Sequence, residues 1–146
     1  MRRLVTIAAI GTLLLALTTG TVLAKVIVCH GSTPCRGTDR ADTMTGTNGP
    51  TDIYGLDGPD TIDGGDIGFD ATLAAHDYIY GGRGSDTITD NTGRDNDQIY
   101  GGRGNDTINV REGDTSKDFV YCGPGTDTVF IDDLYDEIHD CEIVNP

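Results

Sequence analysis

The chain has 146 residues, 24 of them Asp or Glu against 10 Lys or Arg, for a formal net charge of −14. The acids are 21 Asp and only three Glu (Glu112, Glu137 and Glu142), beside 21 Gly and no Trp; Gly and Asp both disfavour helix, which argues against a helical bundle or a doubly wound enzyme. A surface this negative has no means of neutralising phosphates, which argues against a nucleic-acid partner and leaves cations as its electrostatic ligands.

Residues 1–24 carry the marks of an export signal peptide: a basic start at Met1-Arg2-Arg3, an apolar run from Leu4 to Leu17 and a small-residue exit at Val22-Leu23-Ala24. That run is too short for a membrane span. Cleavage after Ala24 would leave one secreted domain, residues 25–146, and would remove Arg2 and Arg3 but no acid, taking the charge from −14 to −16. Val28 stands before Cys29 where lipid attachment would want a small residue.

Four cysteines in an exported chain predict two disulfides rather than a zinc site. Three pairings of Cys29, Cys35, Cys122 and Cys141 are possible, and pairing within each end of the chain is the simplest. His30 beside Cys29 completes no known ligand spacing.

Between the cysteines the sequence repeats. Two places after successive motif positions, most of them Asp, stand Met44, Ile53, Ile62, Ile79, Ile88, Ile99, Ile108, Val120, Val129 and Ile138. Around them lie Gly55-Leu56-Asp57-Gly58-Pro59-Asp60, Gly81-Gly82-Arg83-Gly84-Ser85-Asp86, Gly101-Gly102-Arg103-Gly104-Asn105-Asp106 and Cys122-Gly123-Pro124-Gly125-Thr126-Asp127. These segments resemble the G-G-x-G-x-D-x-U-x nonapeptide of the hemolysin-type, or RTX, calcium-binding repeat family, over about residues 37 to 140. The resemblance implies an all-β fold, a right-handed parallel β-roll of two short parallel sheets and about five coils, in which each nonapeptide makes a tight turn and a short strand. A single inward Ile or Val per strand suits its thin core.

If consecutive strands alternate between the sheets, one holds Met44, Ile62, Ile88, Ile108 and Val129 and the other Ile53, Ile79, Ile99, Val120 and Ile138. Every step from the second sheet to the first is then nine residues, and the steps of 17, 11 and 12 all fall on the opposite edge. One edge thus keeps four motif turns stacked without interruption, and the other collects insertions. Turns one strand spacing apart, about 4.8 Å, place Asp60, Asp86, Asp106 and Asp127 in a column, where like charges repel unless a cation lies between them. Carboxylates with turn carbonyls suit Ca2+, which takes six to eight oxygens in flexible geometry, better than magnesium. Three gaps between four turns predict three ions. The resemblance implies as further ligands the backbone oxygens near Gly55, Gly58, Gly81, Gly84, Gly101, Gly104, Gly123 and Gly125, although the last turn opens with Cys122 in place of Gly. On the insertion edge Asp77, Asp97 and Asp118 hold the motif's Asp position in stretched turns, as ligands or as solvated loop acids, and Thr51 replaces the Asp of the first copy.

No segment has the alternating ligands of an EF-hand, and Ser32, Ser85 and Ser116 sit in no nucleophile motif. The expectation is therefore a non-catalytic chain, with His76 and His139 solvent-facing. Outward strand positions form two further series, Thr43, Thr61, Thr87, Thr107 and Thr128 on one sheet and Tyr54, Tyr80, Tyr100, Tyr121 and then His139 on the other. Stacking would turn these into ladders that stabilise neighbouring strands; the Tyr series would alternatively present a recognition face to a cell-surface or glycan ligand, with calcium structural. With a nominal coil of 18 residues, Cys141 comes within reach of Cys122 on the coil below, a bridge that would clamp the last coil.

Overall fold

The structure, a computed structural model, describes residues 24–31, 33–47, 49–65, 76–90, 96–111, 116–132 and 135–146. Save for Ala24, the signal peptide read at 1–24 lies outside them, as do the three longest insertions of the looser edge in their middle parts. The described residues form thirteen strands: β1 (Lys25–Val28), β2 (Cys35–Arg36), β3 (Asp42–Thr45), β4 (Asp52–Asp57), β5 (Thr61–Asp63), β6 (Tyr78–Arg83), β7 (Thr87–Thr89), β8 (Gln98–Arg103), β9 (Thr107–Asn109), β10 (Phe119–Tyr121), β11 (Thr128–Phe130), β12 (Glu137–His139) and β13 (Ile143–Asn145). None of the described residues forms a helix long and apolar enough to cross a membrane.

Odd-numbered strands make one sheet in the order β1-β3-β5-β7-β9-β11-β13, and even-numbered strands the other in the order β12-β10-β8-β6-β4-β2. All pairings are parallel, and their registers match the repeat: Met44 faces Ile62, Ile62 faces Ile88, Ile88 faces Ile108 and Ile108 faces Val129, while Ile53, Ile79, Ile99, Val120 and Ile138 align on the other side. The chain is a parallel β-roll. Strands of two to six residues suffice because each contributes one inward side chain to a core shared with the coils above and below.

That core is two facing files of apolar residues, one from each sheet. Met44, Ile53, Ile62, Ile79, Ile88, Ile99, Ile108, Val120 and Val129 are all at most 1% exposed, with Ile138 packed against them at the end of one file. Val110 and Ile131 join the core from the insertion edge, where Gly46 and Gly64 hold the same place in lower coils. The second position of the motif turn needs a left-handed backbone, and Leu56 adopts it (φ 85°) where Gly82, Gly102 and Gly123 stand in the other turns.

Three strands carry no motif and extend the roll beyond the repeats. β1 and β2 add a coil beneath the first repeat, pairing Ile27 with Met44 and Cys35 with Ile53, and β13 adds a strand at the top, pairing Val144 with Val129. Both bridges join cysteines of the same end: Cys29 to Cys35, with Cα atoms 5.5 Å apart, and Cys122 to Cys141, at 5.2 Å. Arg111 ties down the last strand. Its guanidinium lies 5.1 Å from the Phe130 ring centroid and donates to the carbonyls of Ile131, Asn145 and Pro146 at 2.9–3.2 Å.

Candidate metal centre

The turns 55–60, 81–86, 101–106 and 122–127 lead from the even to the odd sheet and stack directly on one another. Their Asp residues form a hydrogen-bonded ladder in which each backbone N–H donates to Oδ1 of the Asp one coil up: Asp42 to Asp60 (2.8 Å), Asp60 to Asp86 (2.8 Å), Asp86 to Asp106 (2.9 Å) and Asp106 to Asp127 (2.7 Å). Asp60, Asp86, Asp106 and Asp127 thus form one column, each at most 2% exposed. The ladder runs one rung past the motif at either end, with Asp42 at its foot and Glu142 Oε2 accepting from Asp127 N at 2.8 Å at its head.

The second carboxylate oxygen is what gives the column its chemistry. Oδ2 of Asp60, Asp86, Asp106 and Asp127 is buried with no hydrogen-bond partner, a costly state for a polar atom and more so for a charged one. Three of these atoms converge with a backbone carbonyl on a glycine. A β-carbon on Gly55 would press on Asp60 Oδ2 and the Gly81 oxygen; one on Gly81 would lie 2.5 Å from both Asp86 Oδ2 and the Gly101 oxygen; one on Gly101 would lie 2.6 Å from Asp106 Oδ2 and 2.7 Å from the Cys122 oxygen. Carboxylate oxygens without a donor, crowded against a carbonyl, are compensated by a cation, and an all-oxygen set of carboxylates and carbonyls suits a hard one. Cys122 at the head of the last turn removes no oxygen from the third of these cradles, because the cradle uses its backbone carbonyl. The carbonyls of Gly58, Gly84 and Gly104 instead abut the fourth-position glycine of the turn above, Gly84, Gly104 and Gly125 respectively.

The titration behaviour divides the column in the same way. Burial raises the Asp60 and Asp86 carboxyls to about 6, against the lowering effect of the N–H each accepts, and neighbouring carboxylates add to the rise; Asp106 is raised for the same reasons. At Asp42 burial also pushes upward, but Thr38 N (2.6 Å), Thr38 Oγ1 (2.9 Å) and Lys25 N (3.1 Å) donate to it and hold it below the ordinary carboxylate range. The foot of the column is satisfied by protein donors. The rungs above it are not.

A pH dependence follows for the ion-free protein. Folded carboxyls raised above their unfolded value bind more protons than the unfolded chain between about pH 4 and pH 6, so ion-free stability falls as pH rises through that window. Acidification from about pH 7.5 to about pH 5 in chelator is expected to increase the strand signal in circular dichroism. With calcium present the sign inverts, since protons compete for the same oxygens and more calcium is needed at the lower pH.

On the insertion edge the structure decides against solvated loop acids. Asp77, Asp97 and Asp118 are buried, at 5%, 2% and 2% exposure, and build a second ladder: Thr51 N donates to Asp77 Oδ1, Asp77 N to Asp97 Oδ1, Asp97 N to Asp118 Oδ1 and Asp118 N to Asp136 Oδ1, at 2.6–3.2 Å. The insertions leave the Asp positions in register and are taken up before them. Asp90, which the repeat reading does not single out, is also buried, and its carboxylate lies with those of Asp77 and Asp97 so that one oxygen of each falls within 4.8 Å of the others. It stands where Gly46 and Gly64 stand in lower coils, and its side chain uses the space above Gly64. An acid in a glycine position was the available signal.

Both outward ladders form. Thr43, Thr61, Thr87, Thr107 and Thr128 align strand by strand. The rings of Tyr54, Tyr80, Tyr100, Tyr121 and His139 stack with centroids 4.7–5.0 Å apart and interplanar angles of 1–8°. Ring faces inside this ladder are therefore covered by neighbouring rings, and Arg36 covers the outer face of Tyr54 at 4.6 Å from its centroid. Both histidines face solvent, His76 exposed with Nδ1 2.8 Å from the Asn96 carbonyl and His139 partly exposed and paired with Glu137 (3.1 Å).

A parallel β-roll with stacked columns of buried Asp along both edges defines a calcium-binding repeat protein. The family model of the RTX calcium-binding nonapeptide repeat (4 copies) matches residues 36–66, 73–108 and 91–116, and the chain belongs to that family. Its ion is Ca2+. No curated protein and no solved structure matches it.

Proposed function

We propose that the chain is a secreted, non-catalytic calcium-binding protein, in which residues 25–146 fold as one β-roll on meeting calcium outside the cell. The ions lie between successive turns of the regular edge, bound by Asp60, Asp86, Asp106 and Asp127 with turn carbonyls. The observation that carries this reading is the set of buried Oδ2 atoms without a donor. Two disulfides and the leader-like residues 1–24 support export. Sites of extracellular modules bind calcium at about 10⁻⁴ to 10⁻³ M, so the roll would stay unfolded inside the cell and fold on export.

Calorimetric titration of calcium into the chelator-treated chain tests it. Saturable uptake in that range, with magnesium failing to replace calcium, is expected; no calcium uptake would overturn the reading. A recognition face made of the Tyr ladder finds no support in the ring geometry, because aromatic stacking on a ligand needs the faces that the rings cover for one another.

A further inference from the structure

The uppermost cradle differs from the two below it, because its carbonyl belongs to a disulfide-bonded residue. The Cys122 oxygen and Asp106 Oδ2 converge on Gly101. Cys122 is also fixed between coils: its oxygen accepts from Gly102 N (2.9 Å) and its N–H donates to the His139 carbonyl (3.0 Å). Its Sγ is bonded to Cys141, in the turn between β12 and β13. The next residue along, Glu142, is the one that accepts the Asp127 N–H and closes the head of the column. One covalent link thus holds both a cradle oxygen and the carboxylate above the last motif Asp. The other bridge, Cys29–Cys35, reaches no part of the column, whose foot is held by Thr38 and Lys25.

We propose that the Cys122–Cys141 disulfide is a positioning device for the uppermost calcium site, so that oxidation of this pair and calcium occupancy favour each other. This rests on the reading that calcium lies between the regular-edge turns. With the bridge closed, Cys122 is tethered to Cys141 beside Glu142, so less conformational freedom remains to be lost when the ion orders the Cys122 carbonyl and Glu142. With it open, the last turn is held by hydrogen bonds alone, and the ion must bear the ordering cost. Linkage makes the effect reciprocal: whatever factor oxidation adds to calcium affinity, calcium adds to the bridge's resistance to reduction. Reduction by a dithiol is balanced, since the protein disulfide takes up two electrons and two protons to become two thiols while dithiothreitol closes to its cyclic disulfide.

The test uses the oxidised full-length mature chain and needs no variant for its first arm. Dithiothreitol is added with calcium or with chelator plus magnesium, and each bridge is followed by thiol alkylation and peptide mapping. Calcium is expected to shift the thiol–disulfide equilibrium of Cys122–Cys141 about tenfold or more toward the bridge, and Asp106→Asn to abolish that protection while the lowest site, between Asp60 and Asp86, still binds. Calcium titration of Cys122→Ala/Cys141→Ala is expected to show one weakened site, and of Cys29→Ala/Cys35→Ala none. Equal protection of both bridges, protection that survives Asp106→Asn, or unchanged titration of the Cys122/Cys141 variant would overturn the proposal. Failure of the oxidised wild-type chain to bind calcium would instead strike the reading beneath it.

Discussion

Replacing Asp86 with Asn is expected to remove two of the regular-edge calcium sites in one step, because Asp86 borders the gap to Asp60 below and the gap to Asp106 above. The calcium midpoint for folding should rise by more than about tenfold, since losing a carboxylate ligand removes charge from both sites. Asp60→Asn removes one such site, because the gap beneath it ends on Asp42, whose carboxylate is already satisfied by Thr38 and Lys25. In chelator the sign reverses. Asn keeps an oxygen to accept the Asp60 N–H and leaves no buried charge, so the ion-free variant should retain more strand than the ion-free wild type. Calcium titration of the three proteins by circular dichroism reads both effects. Equal midpoints for Asp86→Asn and wild type would show that the column holds no ion.

Gly81→Ala is the second large effect. The added methyl would lie 2.5 Å from Asp86 Oδ2 and 2.5 Å from the Gly101 carbonyl, and the carbonyl is backbone of the next coil and cannot swing aside. The expected cost is about 3 kcal/mol, at the upper end for overpacking, and it persists in saturating calcium because the same oxygens must separate. Gly31→Ala is the matched comparison: its backbone is left-handed (φ 57°) but nothing lies within 4 Å of the added carbon, so the cost is about 1 kcal/mol. Urea midpoints in calcium compare the two. Near-equal losses would mean that the turns separate readily and that the cradle is not close-packed.

Much of this was legible before the fold was known, because one constraint sets strand, turn and column together. Ile62, Ile88 and Ile108 each follow a motif Asp by two places, so the same spacing that aligned the core aligned Asp60, Asp86 and Asp106. The position of the insertions on one edge followed from the same intervals. What escaped were features that obey the roll's geometry without its motif. β1, β2 and β13 are held by neighbouring coils rather than by their own repeats, so Ile27, Cys35 and Val144 carry no periodic signal. Glu142 completes the ladder because its longer side chain reaches from a turn with no glycine motif. Asp77, Asp97 and Asp118 were ambiguous because insertion length says nothing about where a loop rejoins the stack; their N–H to carboxylate bonds show that it rejoins before the Asp.

The raised carboxyls of Asp60, Asp86 and Asp106 and the protein-satisfied Asp42 describe one design: a column finished at its foot by the chain itself and left incomplete along its length. The thin core, one side chain per strand, has little capacity to offset that cost alone. On the proposed reading, calcium is then a component of the fold. Far-UV circular dichroism of the mature, oxidised chain tests this most directly, recorded in chelator at neutral pH, after calcium is restored, and with magnesium in its place. A largely disordered spectrum in chelator that converts to strand with calcium and not with magnesium is expected; a strand spectrum unchanged by chelation and by calcium would contradict a calcium-dependent fold.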